Sequence, residues 1–263
     1  MSSDERALLS DEEFEILKNA DLDVLISPYL AIGAVIVLMF FIILFTNMPK
    51  NGDQNHDVHF MVTIRRIFKL RYYSEGVIAQ FFYVGAQIMC WTFIIQYGTR
   101  IFMAEGMGEQ EAEVLSQQFN IYAMVFFICS RFIATFLMRY VKPAMLLAIF
   151  GVLAMVFTLG GIVFQNRLGL YSLVCVSGCM SLMFPTIYGI ALDGMGDDAK
   201  FGAAGLIMAI LGGSVLPPLQ AMIIDKGVVF GSFPATNASF ILPFICFLVV
   251  TVYGYRTHVV RHL

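Results

Sequence analysis

Long apolar runs separated by short polar connections dominate this sequence. Seven runs have about the 20 residues that a helix needs to cross a bilayer core. They cover approximately residues 27–47, 75–99, 114–139, 143–164, 169–192, 201–224 and 238–256. Strands of a membrane barrel would instead be about ten residues long and would alternate apolar with polar positions. The pattern therefore predicts an all-α membrane protein with seven transmembrane helices.

One connection, residues 48–74, is long, polar and basic, and it separates one span from the other six. Before the first span, Ser10 followed by Glu13 resembles a capping box, which indicates a short surface helix. We expect the chain to be the last part of a larger helical membrane protein. Its predicted parts are an outer acidic segment (1–26), the last helix of an N-terminal half (27–47), a cytoplasmic inter-half loop (48–74), a six-helix C-terminal half (75–256) and a cytoplasmic tail (257–263).

Charge sets the expected orientation. If the loop 48–74 is cytoplasmic, ten of the 16 Lys and Arg residues lie on that side and five lie opposite, as the positive-inside rule requires. The N-terminus is then outside and the C-terminus cytoplasmic, in the plasma (inner) membrane. With 59% hydrophobic and only 13% charged residues, the chain has lipid as its main surroundings. Its net charge of −3 gives no reason to expect nucleic acid as a partner.

The second span contains the segment AQFFYVGAQIMCWTF (79–93), in which Gln80, Tyr83, Gln87 and Trp91 share one helix face. A buried amide without a partner costs roughly 4–8 kcal/mol in a hydrocarbon environment. These amides therefore either join neighbouring helices by hydrogen bonds or line a watered cavity. Amides that read hydroxyl groups, beside rings that stack on C–H faces, favour a cavity for hydroxyl-rich ligands such as sugars.

Other spans carry matching polar and aromatic residues. Pro185 is expected to interrupt the fifth span in mid-membrane, which neighbouring groups or water can tolerate. The sixth span combines glycines with Pro217-Pro218, which suits either a moving bundle or close static packing. The candidate substrate-binding residues are Gln87, Tyr83, Trp91, Gln118, Asn120, Phe184 and Tyr188.

Arg131 is the basic residue that the pattern places within a span. It either extends to the interface or forms a gating ion pair with Asp193 or with Asp197 and Asp198. Asn237-Ala-Ser239 fits a glycosylation acceptor on the outer side, although such triplets are common by chance. We find no catalytic triad, phosphate loop or zinc-spaced histidines, so we predict neither an enzyme nor a cofactor or metal site.

Four motifs resemble one family in order and spacing: AQFFYVGAQIMCW (79–91), FFICSRF (126–132), FPTIYGIALDGMG (184–196) and KFGAAGLIMAILGGSVLPPLQ (200–220). They are similar to the C-terminal half of the L-fucose:proton symporter family, which includes glucose/galactose permeases. This family belongs to the major facilitator superfamily. The resemblance covers about residues 25–255.

The resemblance implies that the seven spans correspond to helices 6–12 of a twelve-helix fold with the sugar site between its halves. Gln87 then matches the family pattern in helix seven, and Gln118 stands where the family often has asparagine. Phe184 replaces a tyrosine that precedes the proline. Implied partners are a monosaccharide, membrane lipid, and a proton through carboxylates of the absent half, which a separate gene would encode. The alternative is a non-transporting truncated fragment or a receptor-like sugar-binding protein.

Overall fold

The computed structural model describes residues 11–46, 60–229 and 233–260. These residues form eleven α-helices, two 3₁₀ turns and one pair of two-residue strands. The turns are Gly196–Asp198 and Ala209–Leu211, and Val228–Val229 (β1) pairs antiparallel with Phe233–Pro234 (β2). The helices are α1 (Asp11–Phe45), α2 (Phe60–Lys69), α3 (Arg71–Ala104), α4 (Glu109–Leu137), α5 (Pro143–Val163), α6 (Arg167–Met180), α7 (Met183–Leu192), α8 (Ala199–Met208), α9 (Gly212–Ile224), α10 (Ala235–Ser239) and α11 (Ile241–Val260).

Seven helical segments among the described residues are long and apolar enough to cross a membrane, which confirms the predicted number of spans. Three spans consist of two consecutive helices each: α6 with α7, α8 with α9, and α10 with α11. The segments are Ile26–Phe45, Arg71–Ala104, Glu109–Leu137, Pro143–Val163, Arg167–Leu192, Ala199–Ile224 and Ala235–Val260.

The chain divides into two compact units, residues 1–58 and 59–263. In the first unit, α1 continues from Asp11 to Phe45 with Pro28 inside it. The expected short surface helix and the first span are therefore one helix, since no glycine or proline interrupts residues 11–27. Ser10, the expected cap, lies outside the described residues. The large apolar side chains between Ile26 and Phe45 are exposed, as suits a helix that lies in lipid.

In the second unit, part of the predicted loop 48–74 is helical. Residues 60–69 form α2, and α3 begins at Arg71; residues 48–59 lie outside the described part of the chain. Ile67 of α2 is 2% exposed and belongs to a small buried cluster with Tyr73, Ala191, Met195 and Leu206. This apolar anchor explains why a segment that looks like a polar linker forms a helix here.

The long helix α3 lies at the centre of the second unit, where it packs against α4, α6–α7, α9 and α11. Glycine permits its closest approach to α9. A Cβ atom at Gly212 would overlap the backbone carbonyl of Phe81, and one at Gly85 would overlap the Leu216 side chain. Close static packing, one of the two explanations expected for the glycines of the sixth span, therefore accounts for Gly212.

The fifth span is interrupted between α6 and α7, at Ser181 and Leu182. Pro185 causes this because it lacks an N–H for the carbonyl four residues earlier, at Ser181. The break therefore precedes the proline. Side-chain hydroxyl groups satisfy the neighbouring carbonyls. Ser130 donates to Gly178 (2.8 Å), Tyr83 donates to Met180 (3.0 Å) and Thr186 donates to Leu182 (2.7 Å).

Candidate functional site

We call the four residues that were predicted to share one helix face the stripe: Gln80, Tyr83, Gln87 and Trp91. All four lie in α3 and share one face of it, but their burial differs along the helix. Gln80 and Tyr83 are 0% exposed, whereas Gln87 and Trp91 are half-buried. The stripe is therefore enclosed by protein around Gln80 and Tyr83 and partly open around Gln87 and Trp91. Only the open part can meet a ligand without rearrangement.

Tyr83 fills a structural position. Its hydroxyl donates to the Met180 carbonyl at the break of the fifth span, and its ring meets that of Phe184 edge-on at 6.3 Å. Phe184 in turn stacks on Tyr188, with ring centroids 6.3 Å apart and planes 12° apart. Three of the predicted site residues are thus brought together as a row of rings. The Tyr83 hydroxyl is already engaged and its ring is enclosed, so Tyr83 supports Phe184 and the break of the fifth span.

Trp91 connects α3 to two other helices. Its indole N–H donates to the Ser177 hydroxyl (3.2 Å), and its ring meets Phe127 edge-on at 5.2 Å. Phe127 was missed by the sequence analysis, although it lies in the motif FFICSRF and one turn before Arg131. We call Tyr83, Trp91, Phe127, Phe184 and Tyr188 the aromatic frame.

Gln87 lies on α3 one turn from both Tyr83 and Trp91. Its side chain is half-buried, and among the described residues it makes no hydrogen bond. A primary amide offers two donors and an acceptor in one group. The arrangement therefore places unused hydrogen-bonding capacity beside the rings of the aromatic frame, the combination that binds a small hydroxylated molecule.

The two predicted residues of α4 have different surroundings. Gln118 is exposed and makes no hydrogen bond within the described part of the chain. Asn120 is half-buried, and its side-chain oxygen is enclosed without a partner among the described residues. Asn120 is therefore the α4 residue with buried hydrogen-bonding capacity to spare.

Gln80 is the opposite case to Gln87. It is 0% exposed, and neither its amide nitrogen nor its amide oxygen has a partner within the described residues. Of the two explanations that the sequence left open, hydrogen bonding between helices does not describe it. It is enclosed by protein at the closed end of the stripe.

The predicted gating pair is not formed through Asp198. Arg131 is exposed and has no ion-pair partner among the described residues. Asp198 instead accepts from Arg66 of α2 at 2.6 Å. Asp193 is exposed, and the side chain of Asp197 lies outside the described part of the structure. Arg131 remains one helical turn beyond Phe127 and so close to the aromatic frame.

Asn237 is buried and does not have the accessibility that a glycosylation acceptor needs. It is 2% exposed, and its amide nitrogen donates to the Tyr97 hydroxyl (3.2 Å) and the Gly161 carbonyl (3.0 Å). Its amide oxygen accepts from Arg100 at 2.7 Å. Tyr97 also lies 2.6 Å from the Phe164 carbonyl. We call Tyr97, Arg100 and Asn237 the outer network; it joins α3, α5 and α10.

A polar recess beside the outer network was also missed by the sequence analysis. Its volume is about 590 Å³, and α3, α4 and α10 line it. Thr92, Gln96 and Arg100 follow one another at intervals of four residues on α3, so their spacing could have revealed this second polar stripe. The main polar lining residues are Thr92, Gln96, Thr99, Arg100, Glu113 and Thr236.

The fold and these side chains define a helical membrane protein with a polar face at bilayer depth. No protein-family model matches the chain. It is 49% identical to the L-fucose-proton symporter of Haemophilus influenzae over 249 residues, covering 94% of this chain and 56% of that protein. It is 27% identical both to the L-fucose-proton symporter of Escherichia coli, over 94% of this chain and 54% of that protein, and to the glucose/galactose transporter of Brucella abortus, over 90% and 54%.

The fold is also found among solved structures. The major facilitator superfamily transporter FucP in its outward conformation matches 98% of this chain and 60% of its own length, with a TM-score of 0.74 and 26% identity. The chain is a homologue of these sugar permeases and has the major facilitator fold. It spans a little over half the length of the relatives it matches. Those homologues are transporters and not enzymes.

Proposed function

We propose that this chain supplies the C-terminal half, helices 6–12, of a sugar permease. The assembled permease moves a monosaccharide resembling fucose, glucose or galactose across the membrane by alternating access, with the site between its two halves. The names and coverage of the relatives support this proposal, because each is a sugar transporter of nearly twice the matched length. A separately encoded N-terminal half completes the cleft and carries the carboxylates that couple transport to protons.

The observation that carries the proposal is that the half-buried Gln87 side chain makes no hydrogen bond among the described residues. An amide at bilayer depth without a partner is costly, so its retention calls for a ligand or water on its open side. The aromatic frame supplies ring faces beside it, and Asn120 offers a second amide oxygen. Together these groups suit a molecule with alternating hydroxyl and C–H surfaces.

Orientation and location follow from the same proposal. The connector that contains α2 lies in the cytoplasm, the N-terminus lies outside, and the chain resides in the plasma (inner) membrane. The parts predicted at 1–26, 27–47, 48–74, 75–256 and 257–263 keep their proposed roles, with the qualification that helix extends into both polar segments. We expect no catalytic activity from the chain, since its homologues transport their substrates.

Co-expression with the N-terminal half of the Haemophilus influenzae symporter tests the proposal. We expect the pair to take up labelled L-fucose, galactose or glucose, whereas neither half does so alone. Gln87→Ala in the assembled pair should lower uptake about tenfold or more, because one or two hydrogen bonds of roughly 1 kcal/mol each are lost from the site. Gln110→Ala, an exposed glutamine at the start of α4, is the matched control and should leave uptake unchanged.

Normal uptake by the Gln87→Ala pair would remove this residue from the site. Absence of uptake by a stably assembled pair would favour the second candidate function, a non-transporting or receptor-like sugar-binding fragment. The DNA upstream of the first codon separates the two further: adjacent coding sequence for five apolar spans favours transport.

A further inference from the structure

An apolar groove runs along the side of α3 at the end that carries α2. Its volume is about 540 Å³, within the range of about 300–1,000 Å³ that is typical of ligand pockets. All its lining residues are apolar, and they come from α2, α3 and the α8 span, among them Phe68, Ile78, Phe82, Phe201, Ala204 and Met208. The groove has no polar side chain with which to bind a sugar.

The groove is partly open at the surface of the second unit, within its candidate membrane spans. Its lining residues on α3 and α8 fall within two of the membrane-spanning segments, and Ile78 and Met208 are exposed by 52% and 77%. An acyl chain is the molecule that fits such a groove at this depth, because it satisfies apolar walls and requires no hydrogen bond.

Two cations lie on α2, the helix that contributes Phe68 to the groove. Phe68, which lines it, lies next to Lys69 and three residues after Arg65, and both basic side chains are exposed. Neither has an ion-pair partner among the described residues. Two neighbouring arginines differ in this respect, since Arg66 binds Asp198 and Arg71 binds Glu75. Near Phe68 in the chain, α2 therefore carries two positive charges that no carboxylate of the described residues neutralises.

We infer that the groove binds one anionic phospholipid, with an acyl chain along α3 and α8 and its phosphate group between Arg65 and Lys69. Basic residues where a helix meets the cytoplasmic leaflet attract anionic headgroups, and the α2 end of α3 is the one we propose as cytoplasmic. The inference does not depend on the identity of the sugar. A helix of the N-terminal half proposed above is the competing occupant of the groove.

The test is lipid binding by the purified full chain, without any transport assay. Native mass spectrometry with phosphatidylglycerol or phosphatidylcholine in detergent measures the affinity for each lipid. We expect phosphatidylglycerol to bind more tightly, and the double variant R65Q/K69Q to bind it about 30-fold more weakly, as expected from two basic side chains near the headgroup. Arg139→Gln removes an exposed charge elsewhere and should change nothing.

Ala204→Phe tests the groove separately from the charges. Ala204 is exposed in the groove, so a phenyl ring there occupies the acyl-chain position without disturbing the buried core. We expect it to weaken phosphatidylglycerol binding while Arg65 and Lys69 remain. Equal binding of the two lipids, or unchanged binding in either variant, would overturn the inference. So would loss of bound lipid when the N-terminal half is co-expressed.

Discussion

Asn237 and Gln87 both carry amide side chains and both lie in candidate membrane spans, yet their surroundings differ completely. Asn237 donates to Tyr97 and Gly161 and accepts from Arg100, so both ends of its side chain are satisfied. Gln87 has no hydrogen-bond partner among the described residues and is half-buried. The difference teaches that a satisfied amide in a membrane helix holds the bundle together, whereas an amide that lacks partners and has an open side, as Gln87 does, indicates a ligand position.

Replacing Asn237 with leucine should have the largest effect on stability. The change removes the acceptor of the Arg100 guanidinium and the bonds from the Asn237 amide to Tyr97 and Gly161, although Gly161 keeps its bond from the Tyr97 hydroxyl. We expect a loss of about 2–4 kcal/mol in the free energy of unfolding. Thermal unfolding in detergent measures this. Asn120→Leu is the matched control and should cost much less, because its amide oxygen has no partner to lose. Equal losses would erase the distinction between satisfied and unsatisfied amides.

Gly212→Ala should have the next largest effect, because it tests the close packing of α9 against α3 beside Gln80. The new methyl group would collide with the Phe81 carbonyl, and overpacking of this kind costs about 1–3 kcal/mol. Gly189→Ala provides the control, since a Cβ atom there meets nothing within 4 Å. A variant at Gly212 that is as stable as this control would argue against close contact between α3 and α9.

Gln80→Met should change stability in the opposite direction. Methionine has nearly the same shape and removes two buried polar atoms that lack partners, so we expect a gain of about 1–2 kcal/mol. Gln87→Met should leave stability nearly unchanged, because that side chain is partly open. Unfolding both variants in the same detergent and buffer measures the two changes in the free energy of unfolding. Destabilisation by Gln80→Met would show that an enclosed water molecule binds the amide.

The smallest effect is expected at the aqueous surface. Hydrogen bonds from Arg167, 2.6 and 2.9 Å long, hold the pKa of Glu105 below its usual value. A lowered pKa in the folded state gives stability above the unfolded pKa, which is lost as the pH falls through the folded pKa. Glu105→Gln should therefore lower the Tm slightly at neutral pH and not at low pH.

Glu113→Gln is the control for that experiment, since Glu113 has no ion-pair partner among the described residues. Its Tm should follow that of the unaltered chain throughout the titration. A difference for Glu105→Gln that persists unchanged at low pH would show that its ion pair with Arg167 is not responsible. Because this pair is exposed to water, it should contribute far less than the outer network.

The spans were predictable because length and apolar composition alone determine which segments can cross a bilayer. The common face of Gln80, Tyr83, Gln87 and Trp91 was also predictable, since helical geometry fixes it. Which part of that face is enclosed was not predictable, because the burial of Gln80 depends on how α3 packs against other helices. For the same reason, the sequence could not distinguish a buried Asn237 from a surface acceptor.

The helical structure of α2 was not predicted, for a different reason. Its charged residues suggest a linker, yet Ile67 is buried against residues that are distant in the chain, such as Ala191 and Leu206. Phe127 was overlooked because a phenylalanine within an apolar run carries no signal of its own. Its importance depends on contact with Trp91 of another helix.

The interruption between α6 and α7 has a mechanical consequence. Its carbonyl groups accept hydrogen bonds from Tyr83 of α3 and Ser130 of α4. The accepting residues, Gly178 and Met180, lie at the end of α6, so a tilt of α6 on its own would break those two bonds inside the bilayer. Tyr83 and Ser130 therefore fasten the end of α6 to α3 and α4, so that these three helices move together at the break.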